Sequence, residues 1–93
     1  MDKITVAVPC YNEEPVLELF YKEITAVAAK IPQVEFEFLF IDDGSRDGTL
    51  PKILELSDRD SRVKYISFSR NFGKEAGIYA GLENASGDYV VIM

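Results

Sequence analysis

The feature that most constrains this chain is the regular alternation of short, β-branched apolar runs with stripes of helical period. Ile4 to Pro9, Val34 to Ile41, Val63 to Phe68 and Tyr89 to Met93 are runs of strand length and composition. Between the first two, Leu17, Phe20, Ile24, Val27 and Ile31 recur at three- and four-residue steps, which predicts one apolar helical stripe. Leu50, Ile53 and Leu54 mark one face of a second helix. Ala76, Tyr79, Ala80 and Leu82 are the expected buried contacts of a third, over Glu75 to Ala85. The order is βαβαβαβ, with connections long enough for right-handed crossovers. An α/β fold follows: an open parallel sheet with helices on both faces.

Local punctuation agrees. Asn12 suits the N-cap of the first helix, with Pro15 in its first turn and Pro32 stopping it; Pro51 suits the first turn of the second. Val34 to Ile41 begins as alternation and becomes continuously apolar, as in a strand covered on both faces. Tyr89 to Met93 also reads as a buried strand, so residues 1–93 are expected to be one domain, incomplete at its C-terminal side.

Composition removes several chemistries. The absence of histidine excludes Ser–His and Cys–His pairs and most zinc sites. Cys10 is the only cysteine, so no intramolecular disulfide can form, and a reducing compartment and a packing role are expected. The net charge of −6 weighs against nucleic acid, though not against one nucleotide held through a metal between carboxylates. No signal peptide and no apolar run of transmembrane length occurs, so these residues are expected to be soluble.

Ligands of open α/β sheets bind at the carboxyl ends of the strands. There this sequence places Tyr11-Asn12-Glu13-Glu14, Asp42-Asp43-Gly44-Ser45, and Arg70-Asn71 with Gly73-Lys74. The turn Ser86-Gly87-Asp88, at the other end, carries less. Asp42 and Asp43 repel one another unless a cation or hydrogen-bond donors stabilise them, and such carboxylates can accept from a base or a ribose. The same pair also suits a plain strand end and turn, with Ser45 or Asp47 capping the next helix. Tyr11 can stack on a base and Glu13 or Glu14 accept from ribose, or these residues can simply start a helix. Arg70 and Lys74 beside Gly73 can hold a diphosphate, or lie in a solvated loop. The dinucleotide glycine fingerprint and the P-loop are both absent.

Taken in register, Val8-Pro9-Cys10-Tyr11-Asn12-Glu13-Glu14, Ile41-Asp42-Asp43-Gly44-Ser45-Arg46-Asp47-Gly48-Thr49, Ser69-Arg70-Asn71-Phe72-Gly73-Lys74-Glu75-Ala76 and Gly87-Asp88-Tyr89-Val90-Val91-Ile92-Met93 resemble family 2 glycosyltransferases of the A-type fold. The third motif looks most like the branch with dolichyl-phosphate mannose synthases and bacterial polyprenyl-phosphate glycosyltransferases. The resemblance implies the Rossmann-like nucleotide-binding half of that fold. It implies a UDP- or GDP-linked sugar donor and transfer, with inversion, to a polyprenyl phosphate or other glycan acceptor. It assigns Pro9, Tyr11, Glu13, Asp42 and Asp43 to the nucleoside pocket, with more weight on Asp43, and Lys74 to the diphosphate. The family's Asp-x-Asp motif, which holds Mg²⁺ or Mn²⁺, directly follows a strand like Tyr89 to Met93. No catalytic or metal residue is therefore expected in this chain, which alone should be inactive and prone to self-associate. Members of the branch often carry C-terminal transmembrane helices, which would place the full-length enzyme on the cytoplasmic side of a membrane. Two other classes fit less well: a non-catalytic nucleotide-binding module, and a receiver-type signalling domain, whose acidic pair follows the first strand rather than the second.

Overall fold

The computed structural model describes residues 2–93. Strands β1 (Lys3–Cys10), β2 (Glu35–Asp42), β3 (Val63–Ser67) and β4 (Tyr89–Ile92) alternate with helices α1 (Glu14–Ala29), α2 (Thr49–Arg59) and α3 (Lys74–Asn84). They form one all-parallel sheet in the order β3-β2-β1-β4, with Cys10 beside Asp42 and Asp42 beside Ser67 at the carboxyl ends. This is the expected open α/β arrangement.

The two faces of the sheet are covered unequally. Successive strand residues point to opposite sides. Val6, Val8 and Cys10 of β1, with Phe38 and Phe40 of β2, therefore meet Leu17 and Ala28 of α1 and Ile53 and Leu56 of α2. Aromatic packing reinforces this side: the Phe20 and Phe40 rings meet edge to face, with centroids 6.3 Å apart. The other face carries a smaller cluster of Ala7, Leu39 and Ile41, flanked by Ile66, Phe68 and Val90. Here α3 lies close to the sheet through its glycines. A Cβ on Gly81 would sit 3.2 Å from the Ala7 Cβ and 3.3 Å from the Ile41 Cδ1.

That contact corrects the expected face of α3. Gly77 and Gly81 are its buried residues, whereas Tyr79 and Leu82 are 65% and 53% exposed. A pattern weighted by side-chain bulk misses an interface whose closeness depends on having none. Smaller shifts occur elsewhere: Val27 and Leu54 are exposed, and Ala28 and Leu56 take the buried positions. Glu13, not Asn12, occupies the N-cap position of α1, without a side-chain capping bond, while Asn12 adopts a left-handed backbone (φ 53°) and bonds to the neighbouring loop. The strand β4 departs most. It is an edge strand among the described residues, and Tyr89, Val91 and Ile92 are exposed. An apolar run does not distinguish the centre of a sheet from its edge, since burial there depends on having a neighbour on each side.

At the amino end of the sheet, a polar network fixes β4 to β1. Glu37, nearly buried, accepts from the Ser86 hydroxyl (2.6 Å) and amide (3.2 Å) and from the Thr5 hydroxyl (3.0 Å), and the Lys3 ammonium stands 3.6 Å away. The Gly87 amide donates to the Thr5 hydroxyl (2.9 Å), and the Lys3 amide to the Asp88 carboxylate (2.9 Å).

Candidate functional site

At the carboxyl end, the loops after β1, β2 and β3 are joined into one rim. The Asn12 backbone amide donates to the Ser45 hydroxyl and the Arg46 amide donates back to the Asn12 side-chain Oδ1, both at 2.9 Å. The Glu13 amide donates to the Thr49 hydroxyl (2.8 Å), and the Gly48 amide to the Glu14 carboxylate (2.8 Å). Thr49 is fully buried and its hydroxyl donates to Asp47, which holds the Asp47 carboxyl below its usual range. These bonds satisfy amides at the start of α1 and in the approach to α2, which have no intrahelical partner.

The second and third loops meet at Gly44, which has φ 71°. A Cβ there would lie 2.2 Å from the Arg70 carbonyl carbon and 2.4 Å from the Asn71 nitrogen, so only glycine fits. Asp43 completes the join: its carboxylate accepts from the Phe72 amide (2.8 Å) and the Gly73 amide (3.1 Å).

The rim encloses a cleft of about 410 Å³. Pro9, Tyr11, Glu13, Asp43 and Lys74 line it, together with Cys10, Asn71, Gly73 and Met93. It opens where β1 has β2 on one side and β4 on the other, the switch point at which ligands of open α/β sheets bind. Five of the six residues that the sequence nominated are thus brought together. Asp42 is not among the lining residues. As the last residue of β2 it is buried, and its carboxylate accepts from the Ser45 amide (3.2 Å).

Two cationic candidates separate. Lys74 faces the cleft, while the Arg70 guanidinium lies over the Phe72 ring, 4.9 Å from its centroid. Glu14, considered as a ribose acceptor, is instead engaged by Gly48. Cys10 is buried, and its thiol is pushed up to about 12 by burial first and then by the Glu13 and Asp42 carboxylates. A thiol so weakly acidic stays protonated and inert at neutral pH, which suits its place in the core. Sequence reasoning placed Asn71 on the rim without giving it a role, and it missed the inter-loop bonding altogether. Neither has a local signature, because each depends on which loops the fold makes adjacent.

No group of three or more carboxylate or thiol side chains converges as a metal cage among the described residues. Glu13 and Asp43 are the two carboxylates that line the cleft, and each Asp43 oxygen accepts from one backbone amide.

Residues 5–93 match the family model described as glycosyl transferase family 2. The chain belongs to glycosyltransferase family 2. Family membership also removes the receiver-domain alternative. Among its relatives, a bactoprenol glucosyl transferase of Shigella phage SfV is 45% identical over 89 residues, which are 96% of this chain and 29% of that protein. A prophage bactoprenol glucosyl transferase homolog of Escherichia coli (strain K12) is 42% identical over the same shares. The chain thus spans less than a third of the length of these relatives. Among solved structures, a mannosyltransferase of Pyrobaculum calidifontis, in complex with GDP-Man and Mn²⁺, superposes with a TM-score of 0.73 at 23% identity, over 96% of this chain and 26% of that one. That likeness establishes the shared glycosyltransferase fold. No helix among the described residues is long and apolar enough to cross a membrane.

Proposed function

We propose that these residues are the nucleotide-sugar-binding part of an inverting glycosyltransferase that moves a sugar from a UDP- or GDP-linked donor to a polyprenyl phosphate. The observation that carries this reading is the cleft at the switch point, lined by Pro9, Tyr11, Glu13, Asp43 and Lys74. Tyr11, 42% exposed at its edge, offers a ring face for a base, and Glu13 offers an acceptor for ribose hydroxyls. Lys74, at the first position of α3, supplies a positive charge for the diphosphate. Asp43 stands in the same cleft wall. The relatives' names support the lipid-phosphate acceptor, and the GDP-Man complex of the structural neighbour supports the donor class.

A divalent ion, Mg²⁺ or Mn²⁺, would neutralise charge on the leaving diphosphate in the full-length enzyme. Its ligands are assigned to an Asp-x-Asp following Met93. The residues described here bind and orient the donor. An acceptor phosphate is already anionic, so attack needs little help from a general base. Without the metal motif these residues alone are expected to bind nucleotide weakly and to turn nothing over. The exposed strands at both sheet edges give this isolated piece a route to self-association. On this reading the full-length enzyme works at the cytoplasmic face of a membrane, where it would meet a polyprenyl-phosphate acceptor.

The test is incorporation of labelled sugar into polyprenyl phosphate by the full-length protein, with UDP-glucose and GDP-mannose compared, with and without Mn²⁺. Metal-dependent transfer with inverted anomeric configuration is expected, and Asp43→Ala should raise the donor KM or abolish transfer while leaving the fold intact. Failure to bind or transfer from any nucleotide sugar sinks the reading. Robust transfer by residues 1–93 alone sinks the assignment of the metal motif to later residues.

A further inference from the structure

Asp43 is 4% exposed although it stands on the wall of the cleft, and both of its carboxylate oxygens accept from backbone amides of a loop some thirty residues away in sequence. Its own amide donates to the Cys10 carbonyl (2.8 Å), so the residue is fixed to β1 on one side and grips the third loop on the other. The gripped segment has little else to define it. Gly73 is the residue before α3, with φ 97° and open space where a Cβ would stand, and no side chain caps the helix. The Phe72 ring packs on Phe68 and under Arg70, which restrains the side chain but not the turn that follows. The next residue is Lys74, the lysine that faces the cleft.

We propose that Asp43 is a positioning residue: it clamps the Phe72 and Gly73 amides and so sets where Lys74 and the start of α3 present themselves to the diphosphate of a bound nucleotide. The clamp follows from the geometry alone, while its effect on a ligand rests on the nucleotide-sugar reading above. Each carboxylate oxygen accepts one amide and keeps a second acceptor direction, so clamping leaves room for a ligand hydroxyl or base N–H. The two duties are separable. A residue that only touches the nucleoside would, when altered, weaken nucleoside and nucleoside diphosphate alike. A residue acting through Lys74 weakens the diphosphate more, and its loss does not add to the loss of Lys74.

The experiment uses the full-length protein. Amide exchange is first measured without nucleotide. In the unsubstituted protein the Phe72 and Gly73 amides should be protected relative to those of Arg70 and Asn71. In Asp43→Asn, which turns a donor towards one of the two amides, their exchange should rise roughly tenfold while residues 36–42 stay protected. Binding of uridine, UDP, guanosine and GDP is then compared across Asp43→Asn, Lys74→Ala and the double variant. The expected result is a larger loss for the diphosphate than for its nucleoside, and a double variant that binds the diphosphate no worse than Lys74→Ala. Unprotected Phe72 and Gly73 amides in the unsubstituted protein, exchange unchanged by the substitution, or protection lost evenly across β1 and β2 would each overturn the clamp. Equal losses for nucleoside and diphosphate would overturn its action through Lys74. If the unsubstituted protein binds none of these ligands, the nucleotide reading fails, and the exchange data still decide the clamp.

Discussion

Both ends of the sheet bury a carboxylate, and they use it for opposite ends. At the amino end, Glu37 is surrounded by two hydroxyls, an amide and an ammonium, all on or beside strands β1 and β4. Burial pushes its carboxyl up, but the Ser86 and Thr5 donors and Lys3 outweigh this and hold it below the usual glutamate range. A buried charge is tolerable only when so fully partnered. At the carboxyl end, Asp43 is partnered by the backbone of a loop and borders open space. The first carboxylate closes the fold; the second borders a cavity. Donors from β1 and from the turn before β4 close a seam between strands, whereas donors from the third loop fix the turn into α3.

Substitutions can break or sharpen this contrast. The largest effect is expected at the loop junction: Gly44→Ala adds a Cβ into the Arg70–Asn71 backbone at a left-handed position and should cost roughly 3 kcal/mol or more in urea unfolding. If Gly44→Ala folds normally, the loops are not held as described. At the other rim, Glu37→Ala strands the Ser86 and Thr5 donors and the Lys3 charge, and should cost about 2–4 kcal/mol. Glu37→Gln, which keeps an acceptor, should cost less than half as much, and neither should alter the nucleotide affinity of the folded protein. A changed affinity would show that the two rims are coupled.

The third prediction concerns acid. Because the folded-state pKa of Glu37 is lowered, its stabilisation is present above the unfolded-state value, near 4.3 for an ordinary glutamate, and is lost as pH falls through the folded value. Stability of the unsubstituted protein should therefore decline below about pH 4 more steeply than that of Glu37→Gln. Equal slopes would assign the acid sensitivity to other carboxylates. The smallest effect is expected at Cys10, where a pKa moved from 9.0 to about 12 implies a roughly thousandfold smaller thiolate fraction. Alkylation should be slow until the chain unfolds, and Cys10→Ala should cost no more than about 1 kcal/mol. Rapid native-state labelling would show that the cleft floor opens.

Much of this was legible beforehand. Four strands and three helices could be placed because apolar periodicity is a property of neighbouring residues. The rim could be named because parallel strands joined by crossovers put every strand-to-helix loop at one end. Adjacent aspartates were harder. Asp42 ends the strand on the side of Phe38 and Phe40, while Asp43 lies just past it and faces the third loop, so one position separates a buried turn acceptor from a cleft residue. The Ser86-Gly87-Asp88 turn looked incidental because its importance lies in Glu37, 49 residues from Ser86 in sequence.

The sequence by itself determined the succession of elements, the polar rim and the family, since each is written in local spacing and residue type. The tertiary structure alone decided the strand order β3-β2-β1-β4, the glycine face of α3, the exposure of β4 and the partners of the buried carboxylates Glu37, Asp42 and Asp43. Those features depend on which distant segments become neighbours. Burial and hydrogen bonding are properties of a surrounding, and a surrounding exists only once the chain has closed on itself.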